Sequence, residues 1–210
     1  MQTDKIQVNS KGDGRAEALQ ETAKFAVYQG LSEKDSLRVE LLCEEAVGLV
    51  SAIAGDFEAE YWIECGRDKL MELHLQLTTK MDASKRREMI EASTSGKNAA
   101  AVGFMGKVRA VIERGIYAAG ELGKTPEGVD SIPLYMYDDV GTHDGFAVGP
   151  VGYMWSMERY RGAVSENREK DSKAKEAWDE LEKSIVANIA DDVRVGVRGR
   201  KAEVVIVKQL

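Results

Sequence analysis

The chain has 210 residues, 43% of them hydrophobic and 31% charged, enough to bury one full core with an elaboration and too apolar for general disorder. A formal charge of −7 and a pI near 5.1 exclude a general nucleic-acid or anionic-membrane surface, because phosphate is bound chiefly through clustered Lys and Arg. The two cysteines (Cys43, Cys65) and two histidines (His74, His143) show no zinc-site spacing, so no metal is expected.

The start MQTDKIQV lacks a cationic segment followed by an apolar one, and no apolar run approaches the roughly 18 residues that span a bilayer. The expected compartment is the cytoplasm, with no membrane partner. Ile6 and Val8 alternate with polar neighbours and predict a short strand over Lys5–Asn9, before the flexible Lys11–Gly14. A helix over Arg15–Gln29 follows, with Leu19, Ala23, Ala26 and Val27 as its stripe and Gly30 as its stop.

Leu31–Gly55 predicts the long helix around which the chain is organised. Ser32 and Asp35 approximate a capping box at its start, and Gly55 supplies the stop. Leu42, Ala46, Leu49, Val50 and Ile53 form its apolar face, with Glu40, Glu44, Val47 and Ser51 roughly opposite. Glu45 does not fit the pattern. Its neighbours one turn away are Leu41, Leu42, Gly48 and Leu49, so its carboxylate emerges beside the buried stripe and needs either a Lys or Arg to reach or a ligand pocket to serve.

The period then changes to two. Phe57, Ala59, Tyr61 and Ile63 alternate with acidic residues and Trp62, and Met71, Leu73, Leu75 and Leu77 with Glu72, His74, Gln76 and Thr78. The two runs form a hairpin about Gly66-Arg67-Asp68. One sheet face is apolar, and water is expected on the other. A helix is expected over Ala83–Ala92 and a second apolar one over Lys97–Ala119, interrupted by Gly103 and Gly106, which suggest close packing. Gly103–Val108 is not a phosphate loop: the first glycine of GxxxxGK is missing, and Val108 stands where the Ser or Thr would meet magnesium.

All three prolines (Pro126, Pro133, Pro150) fall in Leu122–Pro150, and 122–165 reads as an insertion or long ordered loop within a single domain of 1–210. Tyr135, Tyr137, Trp155 and Tyr160 are its candidate interaction residues, with a satellite core as the alternative. Ser165–Ala190 predicts one charged helix with a stripe of Ala174, Ala177, Trp178, Leu181, Ile185 and Ile189. Val193–Val197 and Ala202–Val207 predict a closing hairpin. The order predicts an α/β (α+β) two-layer sandwich, a mixed sheet with helices on one face.

Strand, helix, a long helix containing EEAVGLVSAIAG, a hairpin, and a closing helix plus hairpin resemble the ATPase domain of sensor histidine kinases, gyrase-type enzymes and anti-sigma serine kinases (the GHKL class). The small anti-sigma form is the most similar, over Lys5–Leu77 and Ser184–Leu210. The resemblance implies that Glu45-Ala46 matches the E-A-x-x-N pattern of the central helix, with Glu45 as catalytic carboxylate beside the γ-phosphate of Mg-ATP. The nucleotide motifs depart from the family: in the central helix Leu49 stands where it has the magnesium-binding Asn and Ile53 where it often has His, and Thr78-Thr79-Lys80-Met81-Asp82 stands where DxGxG would read adenine. Gly96–Gly106 lacks the GxGLGL of the lid. Thr79 and Asp82 are the remaining candidates for contacting a nucleotide.

The expectation is a non-catalytic regulatory or interaction protein on an ATPase-like fold, with a protein partner, no required cofactor and room for a homo-oligomer. The alternative is a Mg-ATP-dependent protein or serine kinase of the anti-sigma type, with unorthodox metal ligands.

Overall fold

A computed structural model of the chain describes residues 1–53, 57–79, 103–122, 146–149, 152–198 and 201–210. The strands are β1 (Ile6–Asn9), β2 (Phe57–Cys65), β3 (Leu70–Thr79), β4 (Phe146–Gly149), β5 (Gly152–Ser156), β6 (Asp192–Arg198) and β7 (Lys201–Gln209). They form one seven-stranded sheet in the order β1-β2-β3-β7-β6-β5-β4. Every pairing among the described residues is antiparallel, in place of the expected mixed sheet. Three hairpins, β2-β3, β4-β5 and β6-β7, fix that direction, because a short turn can only join antiparallel neighbours. No described helix is long and apolar enough to cross a membrane.

The helices are α1 (Arg15–Tyr28), α2 (Glu33–Ala52), α3 (Phe104–Leu122), α4 (Met157–Asn167), α5 (Ser172–Lys183) and α6 (Ile185–Ile189). They cover the face on which Ile6, Tyr61, Leu75, Val204, Val195 and Trp155 line up across six strands. This is the two-layer arrangement that the alternation in β2 and β3 predicts, with the core between the layers.

Local chemistry sets the ends of α2. Ser32 Oγ accepts from the Asp35 amide at 3.2 Å and donates to Asp35 Oδ2 at 2.7 Å, so the expected cap is present. These bonds from Ser32, and then Arg38, hold the Asp35 carboxyl below its ordinary range. Val47, expected on the outer face, is buried with Cys43 and Val50, because α2 is flanked by α1, α3 and α6 as well as by the sheet. Glu44 is exposed, as its position predicts.

The buried stripe of α1 is Ala18, Thr22, Phe25 and Ala26, rotated from the expected one. Phe25 takes the core, and Val27 is left 81% exposed. Gly14 precedes this helix with φ of 78°, and a Cβ there would meet the Gln7 carbonyl, so no other residue fits. The single helix expected over Ser165–Ala190 is in fact broken. Asp171 caps α5 by accepting from Lys173 N, and Ser184 both ends α5 and caps α6 by accepting from Ala187 N. Short polar side chains that bond nearby amides start new helices rather than extend old ones.

Within 122–165, β4 and β5 extend the main sheet and α4 packs beside them, while 123–145 lies outside the described residues. The helix expected over Ala83–Ala92 also lies outside them. The apolar helix begins at Phe104, after Gly103 at φ of 96°. Its close contact comes from another glycine: a Cβ at Gly115 would lie 2.7 Å from Val197 Cγ2 on β6. The polar face of the sheet is not open to water along its centre, since Trp62, His74, Glu203, Val205 and Val207 are all buried.

Thr22 Oγ1 and Tyr61 Oη share a buried hydrogen bond of 2.6 Å that ties α1 to β2. Burial first, then the neighbouring Cys43, raises the Tyr61 phenol well above its ordinary range, and burial likewise raises the Cys43 thiol. Tyr61→Phe is expected to cost about 1 kcal/mol by removing its buried bond to Thr22, whose hydroxyl keeps its donation to the Ala18 carbonyl, measured as a shift in denaturant midpoint with unchanged slope. Gly115→Ala is expected to cost about 1–3 kcal/mol by pushing α3 off Val197, and an unchanged midpoint would contradict the close contact.

Candidate functional site

Three places hold the chemistry-bearing side chains. The first is the inner half of α2, where Glu45 is half-buried and no hydrogen bond or ion pair reaches it among the described residues. The expected Lys or Arg partner is therefore not among them. One turn further on, Leu49 is 3% exposed and Ile53 2% exposed, and both belong to the core cluster. Thr79 ends β3 opposite Phe57. Asp82 lies outside the described residues.

The second place lies between α3, α4 and α5. Trp155 packs against Phe104, with ring centroids 6.0 Å apart, and against Tyr160 at 5.7 Å. Lys107 Nζ lies 4.9 Å from the Tyr160 ring centroid, within cation–π range. A cavity of about 210 Å³ adjoins them, lined by Gly103, Lys107, Tyr160, Glu180 and Leu181 among others. The structure thus unites Trp155 and Tyr160, while Tyr135 and Tyr137 lie outside the described residues. Trp155 is only 2% exposed, so it serves the core and is not a surface anchor. The reason is its register: β5 places Trp155 beside Val195, on the helix-covered face.

The third place, on the opposite sheet face, was not singled out by sequence. Cross-strand register sets Glu64 beside Glu72 and Trp62 beside His74. Trp62 and His74 stack with centroids 4.7 Å apart and planes 3° from parallel, and Lys5 Nζ lies 4.2 Å from the Trp62 centroid. The indole Nε1–H of Trp62 donates to Glu64 Oε1 at 2.8 Å. His74 Nδ1 lies 3.3 Å from Glu203 Oε1 and its Nε2 lies 4.0 Å from Glu72 Oε2. Arg194 Nη1 approaches Glu72 Oε1 at 3.8 Å, and its Nε donates to Asp192 Oδ2 at 3.0 Å. A signal for half of this cluster does exist in the sequence. A hairpin that turns at Gly66-Arg67-Asp68 sets Glu64 against Glu72, but nothing local brings Glu203 to His74 across 129 residues.

No protein-family model, curated protein or solved structure matches the chain.

No partner reaches Glu45 among the described residues, so removing its charge breaks no pairing there. Glu45→Gln and Glu45→Leu are therefore expected to leave the denaturant midpoint unchanged or slightly raised. A loss above about 2 kcal/mol in either variant would show that the carboxylate is paired after all.

Proposed function

We propose that the chain is a non-catalytic regulatory or interaction protein on an ATPase-like fold of the histidine-kinase and gyrase class, with a protein as its partner. The observation that carries this reading is the burial of Leu49 and Ile53. The two positions where the class presents a metal ligand and a histidine hold aliphatic side chains in the core. A hydrocarbon has no lone pair to give a cation that bridges phosphates, so Glu45 would face a nucleotide without the ligand that orients its metal. Two features favour a protein partner in a reducing compartment such as the cytoplasm. Val27 and Tyr28, adjacent at the end of α1, are 81% and 75% exposed, and Leu37 on α2 is 56% exposed. Cys43 and Cys65 are both free.

Thermal unfolding in millimolar Mg-ATP and Mg-ADP tests the reading, since a ligand at a hundred times its dissociation constant adds about 2.7 kcal/mol. No shift is expected with either nucleotide. A saturable shift specific to ATP would overturn the proposal in favour of a nucleotide-dependent enzyme. Glu45→Gln would then slow turnover while sparing binding, as loss of a general base does.

A further inference from the structure

The polar face of the sheet carries a set of groups that the proposed regulatory role does not use. Glu64 on β2 and Glu72 and His74 on β3 each bring a ligand atom within 4.8 Å of the others. All three stand on neighbouring positions of one rigid hairpin, so the set is fixed by sheet register and not by a loop.

The protonation pattern of His74 follows from its neighbour. An ionised Glu203 can only accept, so at 3.3 Å the ring donates from Nδ1, and the neutral imidazole then carries its lone pair on Nε2. That lone pair lies on the Glu72 side, with Nε2 to Oε2 at 4.0 Å. The distance is too long for a hydrogen bond. It suits two ligands that share one cation, since bonds of about 2.0–2.2 Å to a common ion leave the ligand atoms roughly 3–4 Å apart.

Each of the three side chains is also oriented from behind. Glu203 holds His74 through Nδ1 and Trp62 stacks on its ring, Trp62 Nε1–H holds Glu64 by Oε1, and Arg194 lies near Glu72 Oε1. One oxygen of each glutamate is therefore engaged and the other is left for an ion. Metal-binding histidines and carboxylates are commonly positioned by outer partners of this kind. Charge favours a cation as well. Among the described residues Arg194 approaches Glu72 and Asp192, Glu203 adds a carboxylate beside His74 and Glu64 one beside Glu72, while Lys5 lies over the far ring, that of Trp62. His74 is 3% exposed at its side chain and Glu72 23%, so an ion would reach the buried nitrogen from the glutamate side.

From this geometry we infer that Glu64, Glu72 and His74 form a binding site for one divalent first-row transition ion, with Glu203 as the positioning residue of the histidine. One nitrogen and two carboxylates, without a thiolate, suit Zn²⁺ or Mn²⁺ better than Mg²⁺, which prefers oxygen ligands and retains its waters. The ion would clamp β2 to β3 and stiffen the central hairpin. This assignment is independent of whether the chain binds nucleotide, because the site lies on the sheet face away from α2.

Calorimetric titration of the full-length, chelator-treated protein with ZnCl₂ and separately with MnCl₂ tests it. The expected result is saturable binding of one equivalent, a rise in melting temperature, and no competition from millimolar Mg²⁺. Glu64→Gln keeps an oxygen to accept from Trp62, so the fold should hold while affinity falls by at least about tenfold. His74→Asn should abolish binding. Cys65→Ser should leave it unchanged, separating this site from a thiol. A flat titration with both metals would overturn the assignment and leave Glu64, Glu72 and His74 as a polar cluster held by Trp62, Glu203 and Arg194. Binding that survives Glu64→Gln undiminished, or that vanishes with Cys65→Ser, would overturn it equally.

Discussion

The structure depends on the pairing of the last strand. β7 lies in the middle of the sheet and bonds β3 on one side, from Leu70 opposite Gln209 to Thr78 opposite Lys201, and β6 on the other. Without it, the β1-β2-β3 and β6-β5-β4 halves would each present an unpaired edge and half a core. Val204 and Ile206 fill the centre of the helix-covered face, while Val205 and Val207 fill the centre of the other, all of them buried. A strand buried on both faces reads as a continuous apolar run, and the Val204–Val207 stretch does so. Because its partner β3 is more than a hundred residues earlier, the main sheet can close only after a large entropic cost has been met.

The two sheet faces solve different problems. On the covered face, alternating large and small side chains meet α1, α2 and α3, and the contact is close enough that Gly115 has no room for a Cβ beside Val197. Thr22, Tyr61 and Cys43 add a small polar knot inside that core, tolerable because the Thr22 and Tyr61 hydroxyls bond each other. On the opposite face the central strands bury ionisable groups: Glu203 and His74 are both under a tenth exposed. Buried charge of this kind persists only when it is paired or bound, and the face provides for it by setting acid beside base in neighbouring rows.

The helix that the chain is organised around is capped by its own residues and buried by its neighbours. Ser32 caps α2 at its start, and Leu49 and Ile53 lie in the core at its far end. Glu45 remains half-buried at the margin of that core. The aliphatic side chains of Leu49 and Ile53 strengthen the packing of α2 and offer no oxygen or nitrogen to a ligand.

Local periodicity determined a good deal by itself. The two-residue alternation in β2 and β3, the apolar run of β7 and the Ser32 cap of α2 were legible because each depends on neighbours within a few residues. The same local pattern misplaced Val27 and Val47 and fused α5 with α6, since which of two flanks is buried depends on what packs there. Only the tertiary structure decided that β7 sits between β3 and β6, that Trp155 turns inward, and that Glu203 meets His74. Backbone hydrogen bonding is the same for every strand pair, so the choice of neighbour is made by packing between residues far apart in the chain, and the polar cluster on the outer face is a product of that choice.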